Sequence, residues 1–244
     1  MNSIWLHFKF RMTELRRQPT YMVTSLIFPS MFFWFFGVPN ATTTGAAQLL
    51  MASFSSFAVL GVVLFQLATQ IANEKGSPWS IYLHTLPVRS SHVLIARLLT
   101  QGIFALLSVC AVVLVAHLTV TVDLPKDRWV PFYLAVYFGG LPFASLGLLL
   151  GTIFNSRVVV PVSNLVYLPL SFAGGLWMPP NALPKLIQDI SEYLPTRMYA
   201  EVVWAATLNK EMKSWNVIGL IFYMIFFLLI AIYFYRRDEG ERFG

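Results

Sequence analysis

Six apolar runs occupy most of this 244-residue chain. A helix needs roughly 20 apolar residues to cross about 30 Å of hydrocarbon. The runs therefore predict six transmembrane helices, at residues 20–38, 46–72, 92–120, 130–154, 157–177 and 214–235. Hydrophobic residues make up 57% of the chain and charged residues 11%, which leaves little chain for a soluble domain. We expect an all-α integral membrane protein with a single transmembrane domain over residues 1–244.

The positions of the basic residues predict the orientation of the spans. If the N-terminus is cytoplasmic, most of the 17 lysines and arginines fall on the inner side, as the positive-inside rule requires. Six spans then return the C-terminus to the cytoplasm as well. The net charge of +6 is explained by this asymmetry, so nucleic acid is not an expected partner.

Residues 3–17 precede the first span and have an amphipathic pattern. Apolar side chains recur at spacings of three and four, at Ile4, Phe8, Met12 and Leu15, with Trp5 beside them. This pattern predicts an interfacial helix whose basic residues contact membrane lipids. A plain cytoplasmic lead-in to the first span would have the same geometry.

Three features of the spans predict contacts between helices. Pro29 removes a backbone hydrogen bond in the first span, so a neighbouring helix or Ser25 should satisfy the freed carbonyl. The second span carries Ser53, Ser55, Ser56, Gln66, Thr69 and Gln70, which could pack helix against helix, line a path for cargo, or do both. In the fourth span, Gly147 and Gly151 have the spacing that permits close helix approach.

Glycine and proline end the fifth span at residues 174–180. The amphipathic stretches that follow, 182–194 and 196–208, are too short to cross a bilayer. They predict a helical hairpin over residues 178–208 on the outer face, either re-entrant or interfacial.

The spans lack the groups needed for several kinds of chemistry. No Asp or Glu lies at the centre of a predicted span, which disfavours ion-coupled transport. The sequence contains no HExxH, GxSxG or GxxxxGK[ST] motif, and Cys110 is the single cysteine. We expect no catalytic residue and no metal site, so any ATP hydrolysis must take place on another subunit.

The polar segment 73–90 connects the second and third spans. Its first residues, Glu74, Lys75, Gly76 and Ser77, offer charge, a sharp turn and a helix cap. Trp79, Tyr82 and Leu83 follow at helical spacing, as anchors that enter a groove would. The segment predicts a docking hairpin for a soluble partner; a solvated loop with an ordinary capped helix is the alternative.

These features together resemble the permease subunits of ABC-2-type ATP-binding-cassette exporters, including bacterial drug and antibiotic exporters. The resemblance is carried by two regions of the sequence. One comprises Glu74-Lys75-Gly76-Ser77, Thr85-Leu86-Pro87-Val88 and Ala96-Arg97-Leu98-Leu99; the other comprises Pro169, Gly174, Gly175, Pro179, Leu183-Pro184 and Leu194-Pro195.

The resemblance implies a multi-pass protein of the bacterial cytoplasmic membrane with roles for both regions. Residues 73–90 would be the coupling helix that seats on a nucleotide-binding ATPase subunit, present in two copies. That subunit would bind ATP and Mg, so this chain would need no cofactor. The outer hairpin, with Gly174, Gly175, Trp177 and Pro179, would form a gate near the exit.

The expected function is that of one permease in a homodimer, or in a heterodimer with a paralogue. The family suggests a cargo path through the second and fifth spans, at Ser53, Phe54, Ser56, Phe57, Asn164, Tyr167 and Phe172. Aromatic and hydroxyl side chains suit an amphiphilic drug, antibiotic, peptide or lipid. Two alternatives are export of a lipid-linked glycan, and a sensing or resistance subunit that signals through its ATPase partner to a kinase.

Overall fold

A computed structural model describes residues 3–75, 77 and 90–243, and all regular secondary structure within those ranges is helical. The helices are α1 (Ser3–Arg16), α2 (Pro19–Asn40), α3 (Thr44–Glu74), α4 (Ser90–Thr119), α5 (Lys126–Ile153), α6 (Val159–Ala173), α7 (Lys185–Ser191), α8 (Pro195–Leu208) and α9 (Ser214–Phe243). Five of them, α2, α3, α4, α5 and α9, are long and apolar enough to cross a membrane.

Helix α6 falls short of the length predicted for the span at 157–177. It has 15 residues, which at 1.5 Å per residue amounts to about 22 Å. A sixth full-length crossing is therefore not confirmed. The chain leaves the helix at Gly174 and Gly175, the glycines that the sequence analysis placed at the end of this span.

Helix α3 lies at the centre of the bundle and contacts most of the other helices. Its close neighbour is α5, because a Cβ on Gly147 would lie 2.5 Å from the carbonyl oxygen of Val63. A Cβ on Gly151 would lie 2.8 Å from the carbonyl oxygen of Ala68. The predicted close approach at these glycines is confirmed.

Helices α6 and α8 pack along different halves of α3. Helix α6 contacts the second half, Gly61–Glu74, whereas α8 contacts the first half, Thr44–Leu60. The end of α6 meets the start of α8, since a Cβ on Gly174 would lie 2.6 Å from Thr196 Oγ1. Two half-length helices thus take the place of one long helix beside α3.

The two arms of the predicted outer hairpin have different surroundings. Helix α7 exposes Leu186 and Ile190, as an arm at an interface would. Most of α8 is instead buried against α3, α5 and α9. The depth of this hairpin in the bilayer stays a prediction.

Helix α2 contains a proline whose effect on the backbone is compensated by a neighbouring helix. Pro29 has no N–H to donate to the carbonyl of Ser25, four residues earlier. The hydroxyl of Ser108 in α4 donates to that carbonyl instead. The chain also forms a wider π-helical turn at Val23–Ile27, just before the proline. The predicted contact at the freed carbonyl is confirmed.

Candidate functional site

Three helices meet in an ion-pair cluster at the last turn of α3. The Glu74 carboxylate accepts a hydrogen bond from Arg11 Nη2 of α1 at 2.5 Å and another from Arg97 Nη2 of α4. The Arg11 and Arg97 side chains are only 12% and 13% exposed, and that of Glu74 is 25% exposed. We call these three residues the Glu74 cluster. One carboxylate therefore ties the N-terminal helix and α4 to the end of α3.

The Glu74 carboxylate stabilises the charge of Arg11. Burial alone would lower the pKa of Arg11, but its hydrogen bond to Glu74 raises that pKa above its ordinary value. Arg11 Nη1 also lies 3.5 Å from Glu14 Oε2, on the exposed side of α1. Two carboxylates thus balance two arginines, and Arg11 keeps its charge.

Lys75 ties a fourth helix to the same point. Its ammonium donates to the carbonyl oxygen of Thr152, in the last turn of α5, where the unpaired carbonyls of a helix attract a cation. The chain then turns, and the N–H of Ser77 donates to the carbonyl of Glu74 at 3.0 Å. Helices α1, α3, α4 and α5 are therefore joined within a few residues of the segment that follows.

The structure describes part of the predicted docking hairpin. Glu74, Lys75 and Ser77 are described, and the first two have the partners within this chain given above. Gly76, Trp79, Tyr82 and Leu83 lie outside the described residues. The contact of residues 73–90 with a soluble subunit stays a prediction.

A line of polar side chains continues from the Glu74 cluster into the bundle. Gln66 and Gln70 lie on the same face of α3 as Glu74, because they precede it by two turns and one turn. Gln101 of α4 donates to Gln70 Oε1 at 2.9 Å and accepts from the Tyr21 hydroxyl of α2 at 2.7 Å. Gln66 donates to Thr24 Oγ1 at 3.1 Å. These two glutamines pack helix against helix, which was one of the two predicted roles.

Five of the predicted path residues lie in the packed interior of the chain: Ser53, Phe54, Ser56, Phe57 and Tyr167. The rings of Phe57 and Tyr167 are stacked at 4.9 Å between centroids. Phe172 is half-buried, and Asn164 is exposed on the surface of α6. The structure thus brings most of these residues together and leaves Asn164 apart; a cargo path along them stays a prediction.

The predicted gate residues are adjacent to this aromatic group. The centroid of the Trp177 ring lies 5.8 Å from that of Phe32, 5.7 Å from that of Phe57 and 6.3 Å from that of Phe172. Gly175 has a φ of +78°, a conformation that favours glycine. Gly174 is buried and Pro179 exposed. The turn and the predicted path therefore form one continuous region.

Helix α8 contributes polar residues that the sequence analysis did not single out. The Trp204 indole N–H donates to Ser53 Oγ at 2.8 Å, and Arg197 Nη2 donates to Glu201 Oε1 at 2.5 Å. The Arg197 guanidinium carbon lies 5.2 Å from the centre of the Trp204 ring, a cation–π arrangement. The four-residue spacing of Arg197 and Glu201 in an otherwise apolar helix was the available sequence signal.

The described residues thus form a helical bundle in which five helices are long and apolar enough to cross a membrane and a sixth apolar helix, α6, is shorter, as in an integral membrane protein. The chain belongs to the ABC-2 type transporter family, which it matches over residues 2–208. It is 27% identical over 235 residues to YvfS of Bacillus subtilis (strain 168), a protein named as a transport permease, with 94% of this chain and 95% of the relative covered.

A second relative matches part of the chain. The inner membrane transport permease YhhJ of Escherichia coli (strain K12) is 26% identical over 158 residues, which cover 64% of this chain and 41% of YhhJ. The chain is therefore a membrane transport permease, and permeases of this family normally work with an ATPase partner.

Proposed function

We propose that this chain is the permease subunit of an exporter that moves an amphiphilic compound out of the cell. A separate nucleotide-binding subunit, in two copies, hydrolyses the ATP, and two permease copies enclose the path. The termini are cytoplasmic in this proposal, with α6, the turn at 174–177 and α8 together completing the sixth crossing. The observation that carries the proposal is the joining of four helices at Glu74 and Lys75.

The Glu74 cluster suits the transmission of force. A displacement of residues 76–89 would act first on the end of α3, and Glu74 and Lys75 would pass it to α1, α4 and α5. Charge-assisted hydrogen bonds are stronger than neutral ones, so the four helix ends would move together. The line of glutamines above Glu74 extends the connection into the bundle.

The aromatic region supports an amphiphilic cargo. Phe32, Phe57 and Trp177 supply apolar surface around the turn that replaces the end of α6. Within the described residues, no group of three His, Cys, Asp or Glu side chains could hold a metal ion. Aromatic rings with a few polar atoms are typical of sites for organic ligands.

The test is ATP-driven transport in inside-out vesicles that contain the permease and its ABC ATPase. A fluorescent amphiphile should accumulate inside the vesicles when ATP is added. Glu74→Gln and Trp79→Ala should uncouple hydrolysis from accumulation. Glu14→Gln serves as the matched control, because Glu14 also contacts Arg11 but is 53% exposed.

Two results would contradict the proposal. In the first, the permease and ATPase assemble, and the compound changes the rate of ATP hydrolysis, while no amphiphile accumulates in the vesicles. That result would favour a sensing role. If Glu74→Gln behaves like Glu14→Gln, the Glu74 cluster does not transmit force.

A further inference from the structure

The junction between α6 and α8 places non-helical backbone inside the bundle. Residues 174–177 turn away from α6 beside Phe57, near the middle of α3. The first turn of α8 faces this turn, through the contact of Gly174 with Thr196. In membrane transport proteins, paired half-length helices of this kind hold substrate groups, and the positive end of a helix dipole favours an anion.

Three polar atoms at this junction are buried and have no hydrogen-bond partner: Trp177 Nε1, Thr196 Oγ1 and Arg197 Nη1. Thr196 is completely buried, with 0% of its surface exposed. A buried donor without a partner destabilises the conformation that contains it. Three such atoms within one turn and the adjoining helix end therefore point to a missing acceptor.

The chemistry of the three groups defines that acceptor. The indole N–H and the guanidinium can only donate, and a threonine hydroxyl can donate as well. Arg197 Nη2 is already engaged by Glu201. Its Nη1 lies 3.5 Å from the position of a Cβ on Gly175, so it faces the turn. Carboxylate and phosphate oxygens are the acceptors that match such donors.

The neighbouring rings complete an amphiphilic site. Trp177 presents its N–H from the same side chain that packs against Phe32 and Phe57. An apolar chain could therefore lie against the rings while its charged end reaches Thr196 and Arg197. The buried state of the three atoms means that the turn must separate from α8 before the ligand enters.

We infer that Trp177, Thr196 and Arg197 form a binding site for the anionic group, a carboxylate or a phosphate, of the transported amphiphile. This inference rests on the proposed transport function and specifies its cargo. The present conformation is the closed state, in which Gly174 lies against Thr196 and Gly175 lies against Arg197. Opening of the turn exposes the three donors to an anionic group, which satisfies all three.

The test measures binding of brominated dodecanoate, dodecyl phosphate and dodecanol to the permease–ATPase complex in lipid nanodiscs, through quenching of tryptophan fluorescence. We expect both anions to bind more tightly than the alcohol. Arg197→Gln should weaken the binding of both anions about tenfold, because one charge-assisted hydrogen bond is lost. The affinity for the alcohol should not change. The ranking of the carboxylate and the phosphate identifies the preferred group.

Thr196→Val separates a binding role from a structural one. Because the hydroxyl has no partner in the closed state, its removal should raise the melting temperature of the complex and still weaken anion binding. Arg128→Gln is the control, since Arg128 is another ion-paired arginine, 3.2 Å from Asp127, and lies outside the junction. It should leave the affinities for all three probes unchanged.

The inference is overturned if the three probes bind the native complex equally, or if Arg197→Gln weakens the alcohol as much as the anions. ATP-driven accumulation of a neutral amphiphile without any anion preference would overturn this site and leave the proposed transport function intact. Selective anion binding without any ATP-driven transport would overturn the proposed transport function and leave the anion site intact.

Discussion

Trp204 donates its indole N–H to Ser53 Oγ at 2.8 Å, across 151 positions of sequence. The bond fixes α8 against the first half of α3, and Ser53 also donates to the Leu49 carbonyl of its own helix. The Ser53 hydroxyl thus forms one hydrogen bond within α3 and another between α3 and α8.

Ser53→Ala should lower the free energy of unfolding by about 1 kcal/mol, because it leaves the buried Trp204 N–H without an acceptor. The measurement is denaturant unfolding in mixed micelles. Ser171→Ala is the control: Ser171 is equally buried, but its hydroxyl bonds to the Tyr167 carbonyl within one helix. Equal effects of the two substitutions would argue against the contact between α3 and α8.

Gly147→Ala should destabilise the bundle by about 2 kcal/mol, since the added methyl would meet backbone atoms of α3 that cannot turn aside. Gly45→Ala offers the matched comparison. A Cβ on Gly45 meets nothing within 4 Å, so this change should be neutral or stabilise helix α3 by up to about 1 kcal/mol. Thermal unfolding of both variants checks the prediction, and a tolerated Gly147→Ala would contradict the close approach of α5 to α3.

Glu74→Gln should destabilise the protein more than Arg97→Gln does. The first change leaves Arg97 without its carboxylate and Arg11 with only the exposed Glu14, an effect of about 2–3 kcal/mol for partly buried charges. The second leaves Glu74 paired with Arg11. Unfolding midpoints at low and high salt measure the difference, and the reverse order would show that Glu74 is not the centre of the cluster.

Asn209 ends α8 in the left-handed conformation, with a φ of 53°. Asn209→Gly should be neutral or slightly stabilising, whereas Asn209→Val should lower stability by about 1 kcal/mol because a β-branched residue resists positive φ. Lys210→Val controls for a β-branched residue at the next exposed position. Melting temperatures that fall equally for the two valine variants would exclude backbone strain as the cause.

The sequence predicted the helical class and the long spans because apolar length is a strong and local signal. It also predicted the glycine contact at Gly147 and the compensation at Pro29, since both follow from the geometry of one residue. It did not predict that 157–177 would yield only a 15-residue helix. Composition cannot distinguish a full crossing from a half crossing, because the apolar residues after Ala173 pack in a turn.

The contacts that the candidate-site residues make inside the bundle could not be predicted from the sequence either. The sequence predicted that Glu74 and Lys75 contact a soluble subunit. The ion pair of Glu74 with Arg11 could not be predicted, because it depends on how α1 folds back beside α4. The sequence predicts that Thr196 and Arg197 belong to an outer hairpin, because a short amphipathic helix is typical of a membrane surface. The burial of α8 is a property of the assembled bundle.

In the proposed topology α6 and α8 share one crossing, and this arrangement has a consequence for the insertion of the chain into the membrane. A 15-residue apolar helix is too short to leave the translocon as an independent membrane segment, so α6 should enter the bilayer as a hairpin with α5. Helix α8 carries Arg197 and Glu201 and can be accommodated only after α3 and α5 have supplied a protein-lined place for them. The chain therefore completes its insertion late, with α8 entering an assembly that synthesis of the earlier helices has already prepared.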